Sequence, residues 1–341
     1  MDGVSVVICC YNSEERIERV LQHLAEQKAD QNVSWEVVVV DNASTDNTAE
    51  AARKSWTRED IMLKVVHESN PGLSNARNKG LNESSCSIVS FIDDDNWVED
   101  RWVQKVYDWF TGNKRIGLLG GRGEAVFEEV RPAWFGNAER GFAAGPQAKS
   151  TGKQYKTLYG AGLSIRKSVW EHLKSNGFEF ILSGRKGKSI TSGEDSELCF
   201  AVRLAGYELY YDEDLKFEHF MPRGRVTWDY LIKLNKSFGK TDPVINIYTS
   251  VLHDQSGYKR LIREDRWLVI LYSIYQFILC WPGYFRILFT NREGKLEHKE
   301  FIRNKYRMLE SIRLFPYFPE MVVRVRNAKW RKNEINLLGN E

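Results

Sequence analysis

Short apolar runs alternate with helical patterns over the first 115 residues of the chain. The runs are continuous, which is typical of strands buried on both faces. They occupy residues 4–9, 37–40, 62–66 and 88–92. Helical spacing follows the first run, with apolar residues at Ile17, Val20, Leu21 and Leu24. Because strands that alternate with helices form βαβ units, we predict an α/β fold with a mostly parallel central sheet.

The pattern loosens after residue 115. The elements predicted there are a long loop or lid at 121–156, a strand at 158–166, a helix at 194–205 and short strands at 208–211 and 216–219. Helical periodicity dominates from Thr227 onward. We therefore place the main domain boundary near residue 225, between a domain of residues 1–225, with halves 1–115 and 116–225, and a helical extension of residues 226–341.

The composition is that of an ordinary globular protein. The chain has 341 residues and a formal net charge of +3, so its overall charge does not indicate a nucleic-acid partner. Its five cysteines lack the spacing of a metal knuckle or a disulfide framework, which favours a reducing, cytoplasmic compartment. The N-terminus has no cationic start followed by an apolar stretch, so we predict no signal peptide.

Three adjacent carboxylates, Asp93-Asp94-Asp95, follow the fourth apolar run. Adjacent anions repel, and a folded chain keeps them together where a cation or hydrogen-bond donors compensate them. On a continuing strand, Asp93 and Asp95 project to one side, about 6–7 Å apart. That geometry suits a hard divalent cation whose other ligands are phosphate oxygens. A solvated acidic turn is the alternative interpretation.

A second acidic pair, Glu194-Asp195, begins the helix predicted at 194–205. One interpretation is helix capping, because the macrodipole stabilises anions in a first turn. The other is general-base catalysis, in which a positioned carboxylate contributes about 10²–10⁴ to the rate. Ligands of such sheets bind outside the carboxyl ends of the strands. Tyr11, Asp41 and the aspartate triplet all fall at such ends, which favours a functional site there.

Six segments resemble, in order and spacing, the motifs of one enzyme family. They are VSVVICCYN, VVVVDNASTDNT, NPGLSNARNKGL, FIDDDNW, YGAGLSIRKSVW and SGEDSELCFAVRLAG. Together they are similar to family 2 glycosyltransferases, which are inverting sugar-transfer enzymes of the GT-A fold. The resemblance runs over residues 3–222. It implies an αβα sandwich, with a nucleotide-binding half at 1–115 and an acceptor-binding, catalytic half at 116–225.

The resemblance implies a nucleotide-diphosphate sugar as the donor, with a UDP-sugar favoured. On this interpretation Tyr11 and Asp41 hold the base, and Arg77 lies near the base or the phosphates. Asp94, or else Asp93, accepts hydrogen bonds from the ribose hydroxyls. The nucleotide-binding residues predicted in this way are Cys9, Tyr11, Asp41, Arg77 and Asp94.

The resemblance also implies a metal site. Asp95, with Asp93, is expected to bind Mn²⁺ or Mg²⁺ against the diphosphate. Such a cation stabilises the charge of a departing diphosphate by several kcal/mol. His219 is a further candidate ligand, because related enzymes often place a histidine after the final sheet strand. A hydrogen-bonded structural histidine is the alternative.

For catalysis, the resemblance favours Asp195 over Glu194 as the base. Inversion requires one carboxylate on the acceptor side and no covalent intermediate between sugar and enzyme. Gly160 and Gly162 are expected to let the backbone pass close to the sugar or the acceptor, and tight packing is the alternative for both.

The extension contains an uncharged apolar segment, residues 267–285. At about 1.5 Å per residue it is about 28 Å long, which is marginal for a membrane span. Residues 286–332 contain thirteen Lys or Arg against five Glu, and a full crossing would separate this tail from a cytosolic domain. We therefore predict an in-plane or re-entrant membrane contact through residues 267–289, with the tail near anionic lipid. A buried helix or a dimer contact is the alternative.

The sequence thus predicts a metal-dependent inverting glycosyltransferase in the cytoplasm, at the inner face of the cytoplasmic membrane. Its expected acceptor is a growing glycan or a lipid-linked sugar. The alternative from another class is a sugar-nucleotide-binding or assembly protein without turnover, against which Asp93, Asp95 and Asp195 argue. A nucleotidyltransferase is disfavoured because its first loop would be glycine-rich and basic, whereas CCYNSEER is acidic.

Overall fold

The computed structural model describes residues 1–182, 193–253 and 257–331. The strands in these residues are β1 (Val4–Cys10), β2 (Trp35–Asn42), β3 (Leu63–Glu68), β4 (Ile88–Asp93), β5 (Asn96–Val98), β6 (Ile116–Phe127), β7 (Gly152–Gln154), β8 (Leu163–Arg166) and β9 (Glu208–Met221). They form one nine-stranded sheet of order β3-β2-β1-β4-β8-β6-β9-β5, and β7 also pairs with β9.

The sheet has a parallel half and a mixed half. The neighbours β3, β2, β1 and β4 are parallel, as the βα pattern predicts. In the other half β6 and β9 are parallel, whereas β8, β5 and β7 run antiparallel to their neighbours. The α/β prediction is therefore confirmed, and its parallel part is the half that contains the four predicted apolar runs.

Helices cover both faces of the sheet. The helices of the described residues are α1 (Ile17–Ala25), α2 (Thr48–Ser55), α3 (Leu73–Glu83), α4 (Trp102–Gly112), α5 (Lys167–Ser175), α6 (Glu194–Leu204), α7 (Trp228–Leu252), α8 (Gly257–Glu264), α9 (Arg266–Leu279), α10 (Trp281–Arg286), α11 (Leu296–Leu314) and α12 (Phe318–Arg326). Successive side chains of a strand point to opposite faces. Accordingly Val7 and Val38 belong to one hydrophobic cluster, and Val6 and Val37 belong to another.

The helical extension packs onto the first of these clusters. Val244, Ile247 and Tyr248 of α7 are buried in the same cluster as Val7 and Val38 of the sheet. The predicted C-terminal helices are thus confirmed, and they share a core with the strands. The boundary near residue 225 stays a prediction, and residues 254–256 and 332–341 of the predicted extension lie outside the described residues.

Two predictions of element bounds were wrong. The segment predicted as a loop at 121–156 contains the end of β6 and all of β7. The two short strands predicted at 208–211 and 216–219 form the single strand β9. The middle of β9 is polar and contains Asp212. The strand tolerates this carboxylate because it accepts hydrogen bonds from the indole N–H of Trp109 at 2.7 Å and from the backbone N–H of Asp214 at 3.0 Å. This polar interval interrupts the sequence pattern without interrupting the strand.

Candidate active site

A cleft of about 720 Å³ lies at the carboxyl ends of β1, β2 and β4. This is the edge where ligands of open α/β sheets bind. The beginning of α6 and one side of α7 contribute further wall residues. Most of the predicted site residues line the cleft, namely Cys9, Tyr11, Arg77, Asp93, Asp94, Asp95, Gly160, Glu194, Asp195 and His219. The predicted residues Asp41 and Gly162 are not part of its wall.

The aspartate triplet does not follow the strand alternation expected from the sequence. Strand β4 ends at Asp93, so Asp94 and Asp95 lie in the turn that follows. The carboxylate of Asp94 accepts hydrogen bonds from Arg16 Nη2 at 2.6 Å and from the hydroxyl of Ser13. Burial raises the pKa of Asp94, and the charge of Asp95 raises it further, while Arg16 opposes the rise. Arg16 and Ser13 therefore compensate one side of the triplet.

Asp95 contacts β9 and the segment that follows it. Strand β5 pairs with β9 in a register that sets Asn96 opposite His219, and the backbone N–H of Phe220 donates to the carbonyl of Asp95 at 2.9 Å. His219 Nε2 lies 3.3 Å from the Asp95 carboxylate, and Arg225 Nη1 donates to it at 2.6 Å. Burial lowers the pKa of Arg225, but the charges of Asp95 and its neighbours together outweigh burial and leave that pKa raised.

The surroundings of Asp95 fit a divalent cation. His219 is fully buried, and its Nδ1 lies 3.4 Å from the carbonyl oxygen of Ala143. A histidine held in this way presents Nε2 as a ligand. That Nε2 has no hydrogen-bond partner among the described residues, although the Asp95 carboxylate is close to it. In the described part of the chain no three His, Cys, Asp or Glu side chains are gathered as a metal site, so Asp93 does not join this pair.

Glu194 and Asp195 begin α6 and have different partners. Glu194 is buried, and its carboxylate accepts a hydrogen bond from the hydroxyl of Ser74 on α3. Asp195 keeps 35% of its side chain exposed, and its Oδ1 accepts from Arg77 Nη1 at 2.5 Å. Burial lowers the pKa of Arg77, but Asp195 and Asp93 raise it above its usual value. Glu194 is thus anchored, whereas Asp195 remains accessible in the cleft.

Arg77 lies against Asp195, whereas the sequence places it near the base or the phosphates. Its Nη2 also lies 3.4 Å from the carbonyl oxygen of Gly160. A Cβ atom at Gly160 would overlap the carboxylate of Asp195, so the missing side chain makes room for that group. Gly162 has a φ of 64°, and a Cβ atom there would lie 2.8 Å from the ring of Phe217. Gly162 therefore allows tight packing against Phe217, which was the alternative to a close approach of the sugar or the acceptor.

The remaining predicted residues lie at the ends of β1 and β2. Burial raises the pKa of Cys9 to about 12, so its thiol is neutral. Tyr11 is 50% exposed at the cleft, which leaves its ring accessible to a planar ligand. Asp41 accepts from the backbone N–H of Ser44 at 3.2 Å and lies 3.5 Å from His67 Nδ1. Asp41 therefore stabilises the turn after β2 beside the cleft.

Arg16 and Arg225 are two residues of the cleft that the sequence did not identify. The aspartate triplet indicated that positive charge or hydrogen-bond donors must compensate it. However, these arginines are 78 and 130 residues from the carboxylates that they contact, and the chain has 49 Lys and Arg. No local pattern distinguishes these two from the others.

Residues 5–173 match the family described as Glycosyl transferase family 2. Glycosyltransferase AglE of Haloferax volcanii is 33% identical over 213 residues, which are 62% of this chain and 65% of AglE. The poly-beta-1,6-N-acetyl-D-glucosamine synthase of Staphylococcus aureus is 27% identical over 121 residues, 36% of this chain and 28% of that protein. The chain thus spans less than two thirds of the length of these curated relatives.

A solved structure shares the fold. The mannosyltransferase PcManGT from Pyrobaculum calidifontis, in complex with GDP-Man and Mn²⁺, superposes with a TM-score of 0.53 at 19% identity. The match covers 92% of this chain and 87% of PcManGT. The sheet, its helical layers and the C-terminal helices therefore form a GT-A type architecture.

Proposed function

This chain belongs to glycosyl transferase family 2 through residues 5–173, and we propose that it transfers a sugar from a nucleotide-diphosphate donor to a glycan or lipid-linked acceptor, with inversion. We favour a UDP-sugar as the donor. The names of its relatives support sugar transfer, and the synthase among them supports polysaccharide synthesis. The GDP-Man complex of PcManGT supports a nucleotide-sugar donor for this fold.

The observation that carries the proposal is the accessible carboxylate of Asp195 in the same cleft as the aspartate triplet. Asp195 takes the proton of the acceptor hydroxyl while that oxygen attacks the anomeric carbon. The new C–O bond forms as the bond from the anomeric carbon to the diphosphate oxygen breaks, so the configuration inverts. Arg77 orients Asp195 through its hydrogen bond, and Glu194 fixes the helix start through Ser74.

The leaving diphosphate requires positive charge. Asp95 and His219 are the residues that would hold Mn²⁺ or Mg²⁺, and PcManGT supports this with its bound Mn²⁺. A divalent cation at such a site stabilises the negative charge of the departing diphosphate. Arg225 and Arg77 add positive charge from the chain itself.

Two variants test these roles separately. Asp195→Asn should bind UDP with Mn²⁺ as the wild type does, yet release UDP from a UDP-sugar about 10² times more slowly or worse, because the base is lost. Asp95→Ala should lose the Mn²⁺-dependent part of UDP binding. Calorimetry measures the binding, and a coupled assay for UDP measures the turnover.

Asp100→Ala is the matched control, since this aspartate pairs with Lys28 at the surface. Normal turnover by the Asp195→Asn variant would exclude Asp195 as the catalytic base. Wild-type protein that binds UDP-sugars but turns none of them over, with any acceptor supplied, would favour the binding protein without turnover.

We also propose a location in the cytoplasm, at the inner face of the cytoplasmic membrane. All five cysteines are free thiols, in keeping with a reducing compartment. One helical stretch, Arg266–Arg286, has the length and composition of a candidate membrane segment. It includes most of the residues predicted to contact lipid.

A further inference from the structure

Helix α9 is apolar on two opposite sides, and only one side is covered. Val269 and Ser273 are buried on the inner side. The hydroxyl of Ser273 lies 3.0 Å from that of Ser311 on α11, and the ring of Phe277 lies 5.1 Å from that of Phe301. The inner side is thus part of the folded protein.

The outer face carries an apolar stripe. Trp267, Leu271, Tyr275 and Ile278 recur at helical spacing, and each is between 55% and 61% exposed. Phe285 and Phe289 continue the apolar surface beyond α9, and both are exposed. We call this surface, defined by Trp267, Leu271, Tyr275, Ile278, Phe285 and Phe289, the outer face. A contiguous exposed apolar patch on a monomer marks an interaction site.

Basic side chains flank the outer face. Arg266 begins α9, Arg286 ends α10, Lys259 belongs to α8 and Lys295 precedes α11; all four are exposed. None of the four forms an ion pair with a residue in the described parts of the chain. Tryptophans at both ends of the segment, Trp267 and Trp281, are of the type that sits at a membrane interface. This combination of apolar surface, aromatic ends and basic flanks complements anionic lipid.

We propose that the outer face docks in the plane of an anionic lipid bilayer. The stretch Arg266–Arg286 has the length of a membrane span, so length does not exclude a crossing. A crossing would, however, separate α9 and α10 from α11, and it would break the ring stack of Tyr284 on Phe301 at 3.8 Å. Lying in the plane buries the outer face and keeps these contacts.

This inference rests on the proposed function, because a docked outer face would bring the cleft near lipid-linked acceptors in the bilayer. Helix α11 packs against α9 on one side and contributes Lys299 and Arg303 to the cleft on another. Helix α11 therefore connects the outer face with the cleft. A lipid-linked acceptor would enter the cleft from the side of this helix.

Vesicle sedimentation of the full chain tests the docking. Wild-type protein should pellet with vesicles of phosphatidylcholine and phosphatidylglycerol, and less in high salt or with phosphatidylcholine alone. The variant Trp267→Glu/Leu271→Glu/Tyr275→Glu should bind about tenfold more weakly or worse. Met62→Glu/Val130→Glu is the matched control, because it changes exposed apolar residues elsewhere and should bind like the wild type.

UDP binding, followed by thermal shift, separates this inference from the proposed function. The triple variant should bind UDP with Mn²⁺ as the wild type does, which shows that the cleft is intact. Equal pelleting of wild type and triple variant would overturn the inference. So would a wild-type dimer in sedimentation velocity that the triple variant dissociates, without lipid binding. Retention in membranes after alkaline carbonate extraction would overturn the in-plane arrangement.

Discussion

At the scale of single residues, the cleft is organised as three aspartate–arginine pairs. Asp94 contacts Arg16, Asp195 contacts Arg77, and Asp95 contacts Arg225. Removing one partner of such a partly buried pair leaves a charge without compensation, which is strongly destabilising. The same arginines can bind phosphate oxygens in bidentate geometry. The cleft therefore places carboxylates beside guanidinium groups, and these are the charges that the proposed base, cation and diphosphate would require.

Gly160 gives a sharp test at this scale. Gly160→Ala should slow UDP release from a UDP-sugar by about 10²-fold, because the methyl group displaces the Asp195 carboxylate from its position. UDP binding should stay close to that of the wild type. The steady-state rate and calorimetry measure the two quantities.

The matched control is Gly112→Ala, at a helical glycine where a Cβ atom meets no other atom within 4 Å. This variant should turn over normally. A Gly160→Ala enzyme with unchanged rate would show that the position of Asp195 tolerates displacement.

At the scale of elements, α6 is held in place one turn beyond Glu194 and Asp195, with which it begins. Glu197 is fully buried, and its carboxylate accepts from the backbone N–H groups of Ile181 and Leu182 at 2.9 and 2.8 Å. The hydroxyl of Tyr248 on α7 donates to it at 2.7 Å. One side chain thus ties together the start of α6, the segment before it and the helical extension.

This anchor should make stability depend on pH. Burial raises the pKa of Glu197 to about 7, against the hydrogen bonds that lower it, whereas an unfolded glutamate titrates near 4.3. Between these values the native state binds the extra proton, so the free energy of unfolding should fall as pH rises from about 4.5 to 7, by about 3 kcal/mol. Urea denaturation across this range measures the slope.

Glu197→Gln should remove that slope, since an amide does not titrate. Glu50→Gln, an exposed glutamate on α2, serves as the control and should keep it. An identical pH dependence for wild type and Glu197→Gln would refute the assignment.

At the scale of the whole molecule, the extension and the sheet share one hydrophobic cluster. Phe318 and Val325 of α12 are buried in the cluster that also contains Val7 and Val38. Both parts therefore lose apolar contacts if either one unfolds. We expect the chain to unfold as one cooperative unit, across the sequence boundary placed near residue 225.

A pair of substitutions on α12 tests this coupling. Val325→Asp buries a carboxylate in the shared cluster and should destabilise the single calorimetric transition by about 3 kcal/mol or more. Val323→Asp, at an exposed position of the same helix, should change it little. Two separate transitions, with only one of them shifted by Val325→Asp, would contradict a shared core.

The sequence alone determined the features that depend on local pattern. Continuous apolar runs identified β1 to β4, because the residues of a strand buried on both faces are apolar without interruption. The triplet Asp93-Asp94-Asp95 and the pair Glu194-Asp195 were candidates for the same reason, and they line one cleft. Strand β9 was predicted only as two separate pieces. Its polar middle breaks the apolar pattern, and the carboxylate there is hydrogen-bonded by Trp109 of α4.

Only the tertiary structure decided which groups meet. It paired Asp95 with Arg225 and His219, placed Gly160 against Asp195, and covered one side of α9 while leaving the other exposed. Both sides of α9 are apolar, so periodicity could not tell a core face from a docking face. Contacts over a hundred residues apart depend on the path of the whole chain, whereas periodicity and propensity depend only on neighbours.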